Sequence, residues 1–185
     1  MIQELLRSTR SFRRFKQTPL TEDDILTLAE AVRLCPSAGN LQRIRIRPVT
    51  DSAECASVFA NLGFAAYLKD WPGPAEGQRP AAYVVVLGTK EPDINLALDA
   101  GLCMEAMLLS MRERGIGGCI FRSFNGEAIT ELLGLEGYYP IAVLALGYPD
   151  EQVELTSVTD GNIRYYRDGD DRHLVPKYGR EDYLV

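Results

Sequence analysis

Apolar residues recur at helical spacing in four segments of the chain. Pro19 is followed by a threonine and two aspartates, which suit the start of a helix. Apolar residues three and four positions apart come next. Together these features predict a helix over residues 21–33. Residues 93–114 carry apolar side chains around much of the helical circumference, so they predict a long helix buried on more than one side. Shorter helices are predicted over residues 51–62 and 125–133.

Other segments have the patterns of strands and loops. Residues 43–50 alternate arginine with isoleucine, as a half-buried strand does, and Pro48 indicates a sheet edge. Continuous apolar runs predict buried strands over residues 82–87, 119–121 and 140–146. The prolines and glycines of residues 70–80 predict an irregular loop. We expect one domain over residues 1–185, with a polar and irregular C-terminal arm over residues 150–185.

Composition narrows the class of protein. Of the 185 residues, 46% are hydrophobic and 25% are charged, which is ordinary for a globular chain. Because no stretch reaches the roughly 18 consecutive apolar residues of a membrane helix, no membrane association is expected. The four cysteines lack the paired spacing of a zinc site and the chain has one histidine, so neither a metal site nor a histidine-dependent hydrolase is expected. Cysteines in apolar segments indicate free thiols and a cytoplasmic location.

Charge is distributed unevenly along the chain. Residues 1–47 carry a net charge of +4, whereas the remainder carries −10. Five of the basic residues crowd into residues 7–16, which is also what a solvated surface would show. The acidic remainder would repel a phosphate backbone, so no nucleic acid partner is expected. A single small anionic ligand fits this charge distribution better.

Three segments have the composition of ligand-binding loops. They are R-S-F-R-R-F at residues 10–15, P-S-A-G-N-L-Q at residues 36–42 and G-I-G-G-C at residues 115–119. Arginine beside serine suits a terminal phosphate, because the guanidinium supplies charged donors and the hydroxyl a neutral one. Small residues and glycines let backbone N–H groups approach a planar ring. The chain has neither a GxGxxG nor a Walker A sequence, so Rossmann and P-loop folds lack support.

Taken in order, these segments resemble the nitroreductase family of flavin enzymes. The resemblance covers residues 5–149 and includes D-A-G at residues 99–101, within the long helix, and L-G-Y-P at residues 146–149. It implies an α+β fold with a central, mostly antiparallel sheet flanked by helices. It also implies a homodimer that exchanges the C-terminal arm between subunits and binds FMN at the interface.

The resemblance implies a set of cofactor-binding residues, and it assigns no catalytic residue. Arg10 and Ser11 match the contacts to the phosphate and ribityl end of FMN, and Arg13 matches the residue near N1 and O2 of the flavin ring. Gly117 and Gly118 match the stretch whose backbone faces N5 and O4.

Two further parts of the site are implied by the same resemblance. The loop offered by the partner subunit is matched by Pro36, Ser37, Ala38 and Asn40. Lys177 is the candidate for the basic residue that the C-terminal arm brings to the phosphate, with Arg180 and Arg167 as alternatives.

The implied activity is an FMN-dependent oxidoreductase. Such an enzyme passes reducing equivalents from NAD(P)H to a nitroaromatic, a quinone or a similar small acceptor by a ping-pong mechanism. Since a flavin carries out hydride chemistry itself, the protein needs no titrating His, Asp or Glu, and a permanently charged Arg13 would stabilise negative charge on the reduced ring. The alternative is a non-catalytic protein that stores or senses FMN.

Overall fold

The computed structural model describes residues 2–68 and 70–185. Its helices are α1 (Ile2–Ser8), α2 (Glu22–Leu34), α3 (Ser52–Ala60), α4 (Ile94–Glu113) and α5 (Gly126–Leu133). The four predicted helices are confirmed, and each begins beside the residue whose side chain caps it: Thr21, Asp51, Asn125 and Asp93. Short 3₁₀ turns occur at Ala38–Asn40, Glu76–Gln78 and Glu181–Tyr183.

Four antiparallel strands form the central sheet, in the order β1-β2-β4-β3. They are β1 (Ile44–Val49), β2 (Ala82–Gly88), β3 (Gly117–Phe121) and β4 (Tyr139–Gly147). Strand β1 lies at the edge, where Pro48, which has no backbone N–H to donate, can be accommodated. The predicted α+β fold with a mainly antiparallel sheet is therefore confirmed.

Each face of the sheet is covered by a pair of helices. Val84 and Leu144 belong to the core that α2 and α4 complete, whereas Val85 and Val143 belong to the core that α3 and α5 complete. A strand buried on both faces needs apolar side chains at every position, because successive side chains point to opposite faces. The continuous apolar runs of β2 and β4 have this origin.

Helix α4 is buried mainly against its own chain. Met104, Met107 and Met111 lie in the core, against the sheet and α2. The large apolar side chains of α4 that are exposed are Ile94, Leu98 and Leu102. By length and composition alone α4 could cross a membrane, and its burial against the sheet accounts for much of that hydrophobicity.

The chain after residue 150 is more regular than its polar sequence predicts. It forms a second sheet of three strands in the order β5-β7-β6, namely β5 (Val153–Ser157), β6 (Tyr166–Arg167) and β7 (His173–Lys177). Strands β5 and β7 are parallel and begin twenty positions apart, with Val153 opposite His173. The expectation of an irregular arm is therefore wrong. The prediction missed this sheet because backbone pairing between short segments far apart in sequence leaves no hydrophobic pattern in either segment.

Candidate functional site

Two of the predicted ligand segments meet in the structure. Ser11 forms an isolated bridge with Gly118, and the Phe12 N–H donates to the Gly118 carbonyl oxygen over 3.0 Å. A side chain at Gly117 would collide with the Phe12 ring and with Pro149, and one at Gly118 would lie 2.8 Å from the Ala145 carbonyl oxygen. Both positions therefore require glycine, because neighbouring groups approach too closely for a side chain. The lack of side chains there lets residues 10–12 lie against the start of β3.

Arg10 presents an unsatisfied donor at this junction. One terminal nitrogen of its guanidinium donates to the Leu6 carbonyl oxygen over 2.5 Å, while Nε is buried and has no hydrogen-bond partner among the described residues. Burial lowers the pKa of Arg10 by penalising its charged form, and Glu105 partly offsets this. A buried donor without a partner is costly, so an anion beside Arg10 and Ser11 would be stabilised there.

Arg13 is buried and is held by the C-terminal segment of its own chain. Its guanidinium lies 3.3 Å from His173 Nε2 and 4.8 Å from the centre of the Tyr165 ring. It also donates to the Ser11 carbonyl oxygen over 3.3 Å. These contacts fix the cation directly beside the Ser11 backbone, so the charge expected near the flavin is present but enclosed by Tyr165 and His173.

A buried carboxylate ties the same two segments together. Glu151 accepts hydrogen bonds from the backbone N–H groups of Arg13 and Arg14, the second over 3.1 Å. Its other oxygen pairs with the Arg167 guanidinium at 2.5 Å, and Arg14 pairs with Asp171. Sequence reasoning missed Glu151, Tyr165 and His173, because nothing in the local pattern of residues 150–173 marks a contact with residues 13 and 14.

The loop at residues 36–42 lies elsewhere, against α4. The Ala38 N–H donates to the buried carboxylate of Asp99 over 3.0 Å, and the Gln42 N–H donates to Ser37 Oγ over 3.0 Å. Asn40 has a left-handed backbone with a φ of 54°, and its side chain is exposed. Within residues 2–68 and 70–185, no hydrogen bond joins this loop to Arg10, Ser11 or Arg13.

The basic residues of the C-terminal segment have different environments. Lys177 is the exposed last residue of β7, where its carbonyl oxygen accepts from the Val158 N–H over 3.1 Å. Arg180 is exposed, and Arg167 is engaged by Glu151 and Asp171. Among the described residues, none of the three contacts Arg10 or Ser11 through a hydrogen bond. The assignment of Lys177 to a phosphate stays a prediction, as do the roles of the other predicted site residues.

Comparison with known proteins decides the family. The model of the nitroreductase family matches residues 6–148, which include both segments that meet at Gly118. The chain belongs to the nitroreductase family. It is 26% identical over 170 residues to the NADPH-flavin oxidoreductase of Vibrio harveyi, covering 82% of the chain and 67% of the relative.

Other relatives agree with this assignment. The NADH dehydrogenase of Thermus thermophilus is 28% identical over 172 residues, covering 77% of this chain and 84% of the relative. The solved structure of an FMN-dependent nitroreductase from Clostridium difficile superposes with a TM-score of 0.66 at 19% identity, covering 86% of this chain and 92% of that chain. At that identity the superposition establishes a shared fold.

Proposed function

We propose that this nitroreductase is an FMN-dependent enzyme that oxidises NAD(P)H and reduces a small acceptor such as a nitroaromatic or a quinone. The observation that carries the proposal is the buried, unpartnered Nε of Arg10 beside Ser11, at the point where residues 10–12 meet Gly118. The proposal is also supported by membership of a family whose relatives are named as flavin and NAD(P)H oxidoreductases.

The residues present fit the phosphate and ribityl end of FMN. Arg10 offers a charged donor without a partner, and the Ser11 hydroxyl adds a neutral one beside it. FMN, when bound, supplies the hydride acceptor and donor of the reaction. The Arg13 charge, enclosed by Tyr165 and His173, favours negative charge developing nearby, and its enclosure keeps the guanidinium in one orientation.

The acceptor and NAD(P)H take turns at one site in the proposed ping-pong cycle. The loop at residues 70–80 is short for a segment that covers the bound acceptor. A short cover is consistent with a small acceptor. We place this activity in the cytoplasm, a proposal to which the four free thiols add support.

Purification followed by anaerobic reduction tests the proposed function. We expect a yellow protein that releases FMN on denaturation and is bleached by NADH or NADPH, with colour restored by menadione or a nitroaromatic. A yellow protein that neither nucleotide bleaches would support the alternative of a non-catalytic FMN-binding protein. A colourless protein that does not take up added FMN would overturn both.

The proposed site is completed by a second copy of the chain, which supplies the loop at residues 36–42. The exposed apolar stripe of α4 supports this, because Ile94, Leu98 and Leu102 follow one another at intervals of four residues and are at least half exposed. A side chain added at Gly101, beside this stripe, would meet no atom within 4 Å, so a partner helix could approach closely there.

Leu98→Glu is expected to convert the dimer to a monomer. A charge in the middle of the apolar stripe would be desolvated on association, and sedimentation at micromolar concentration measures the mass. Leu132→Glu is the matched control, since Leu132 is also partly exposed but lies on α5 at the opposite face of the sheet. A monomeric wild type, or a Leu98→Glu variant that stays dimeric, would contradict the proposed interface.

Arg10→Met is expected to weaken FMN binding by about ten- to a hundredfold, the range for one charge-assisted hydrogen bond. Riboflavin lacks the phosphate, so its binding should be nearly unchanged. Fluorescence titration of both flavins measures the two affinities, and Lys177→Met in the same experiment tests whether the arm contributes a second cation. Equal weakening of FMN and riboflavin by Arg10→Met would remove Arg10 from the phosphate.

A further inference from the structure

A cleft of about 420 Å³ opens beside the single tryptophan of the chain. One wall is the segment from Trp71 to Ala75, which contains two prolines and a glycine. The opposite wall is formed by Phe59, Arg14, Gln78 and Arg79. None of these residues is among those proposed to hold FMN, so the cleft is separate from the flavin site in its lining, although Arg14 adjoins Arg13.

The cleft contains a cation without a counter-charge. Among the described residues Arg79 forms no ion pair, and its Nε is buried with no hydrogen-bond partner. Its guanidinium carbon lies 4.2 Å from the centre of the Phe59 ring, and this cation–π contact fixes the position of the group. The Nε of Arg14 is also buried without a partner, while its terminal nitrogen pairs with Asp171.

Most of the remaining surface of the cleft is apolar. The Trp71 ring is held edge-on by Phe64, with ring centres 6.2 Å apart and planes at 90°. The guanidinium groups of Arg14 and Arg167 lie 5.9 Å and 5.4 Å from the Trp71 ring centre. Pro72 and Pro74 extend this wall, so a ligand would meet aromatic and proline carbons, with one uncompensated positive charge in the cleft.

We propose that this cleft binds a small carboxylic acid with a flat hydrocarbon body. The carboxylate would accept from the terminal N–H groups of Arg79, which have no hydrogen-bond partner among the described residues, and the hydrocarbon body would lie along Phe59 and the prolines. The apolar walls favour such an acid over inorganic phosphate, whose further charges and oxygens would find no other donors than Gln78 and the partly engaged Arg14. This site does not depend on the proposed flavin chemistry.

Benzoate is the probe, and the fluorescence of Trp71 reports its binding directly because the chain has no other tryptophan. With the flavin-loaded protein as purified, we expect a saturable change in fluorescence, with the same dissociation constant from equilibrium dialysis. Benzyl alcohol has the same ring without the charge and should bind at least about tenfold more weakly, since it lacks the negative charge that pairs with the guanidinium.

Variants at Arg79 test the assigned contact. Arg79→Met is expected to weaken benzoate binding by at least about tenfold. Arg79→Lys keeps the charge and should weaken it less. Arg112→Met is the matched control, because Arg112 also lies over a phenyl ring, 5.5 Å from the centre of Phe12, outside the cleft. Circular dichroism verifies that each variant is folded.

Several results would overturn the proposal. These are the absence of saturable benzoate binding, equal binding of benzyl alcohol, and unchanged binding by folded Arg79→Met. If inorganic phosphate displaces benzoate at a comparable concentration, the cleft is an anion site that does not select a carboxylic acid. If Arg79→Met does not fold, two measurements still test the proposal. They are the comparison of benzoate with benzyl alcohol on the wild type, and the same comparison on Arg79→Lys. Loss of flavin activity in any variant has no bearing on these binding results.

Discussion

Glu151→Gln is expected to lower the free energy of unfolding by about 3–5 kcal/mol, the usual cost of breaking a buried ion pair by removing one partner. The Glu151 carboxylate is almost completely buried and joins three groups, the N–H of Arg13, the N–H of Arg14 and the Arg167 guanidinium. The amide keeps the shape of the side chain but leaves Arg167 without its closest counter-charge. Residues 150–173 would then be held less firmly against the segment proposed to bind FMN.

Urea unfolding at pH 7, at fixed protein and FMN concentrations, measures this loss. Glu30→Gln is the matched control, because Glu30 forms an exposed ion pair with Arg33 on α2 and should behave as the wild type. A Glu151→Gln variant as stable as Glu30→Gln would mean that Asp171 compensates Arg167 fully, and the buried carboxylate would then not hold the two segments together.

The stability of the wild type is expected to fall by about 3 kcal/mol as the pH drops from about 7 to about 4, through the titration of His173. Burial, and next the adjacent Arg13, lower the pKa of His173 to about 4, with Arg167 and Arg14 adding to the decrease and Glu151 opposing it. In the unfolded chain the pKa returns to about 6.5. Between these values only the unfolded chain takes up the proton, so acid favours unfolding.

Unfolding of the wild type and of His173→Gln over this pH range measures the effect. Since His173 is the only histidine, the variant lacks this titration altogether. The stability of the wild type relative to the variant should therefore decrease by about 3 kcal/mol as the pH falls from about 7 to about 4, whatever the difference at pH 7. Parallel curves would show that the imidazole takes up its proton in the folded state as readily as in the unfolded one.

Several features of this chain follow from local sequence. Thr21 and Asp24 form a reciprocal capping box at the start of α2, and Asp93 caps α4. The stop of α5 at Gly134 has the same local origin, because that residue adopts a left-handed backbone. Such signals act over three or four residues, so the sequence alone places these helices to within one or two positions.

The candidate site could be predicted only in part. The order of the motifs was enough to indicate the family and to select Arg10, Ser11 and Gly118, which the fold brings together. The enclosure of Arg13 by Tyr165 and His173 could not be predicted, because these residues are separated by about 150 positions and have no pattern in common. The roles of Ser37, Asn40 and Lys177 stay predictions.

The sequence by itself determined helices α2 to α5, the four central strands and the family, because capping, periodicity and motif order are properties of neighbouring residues. Tertiary structure alone decided which apolar residues of α4 became core, so that Met107 is buried while Leu98 is exposed. It also decided the pairing of β5 with β7 and the burial of Glu151. Those outcomes depend on contacts between distant segments, whose energies arise only once the chain has folded and excluded water.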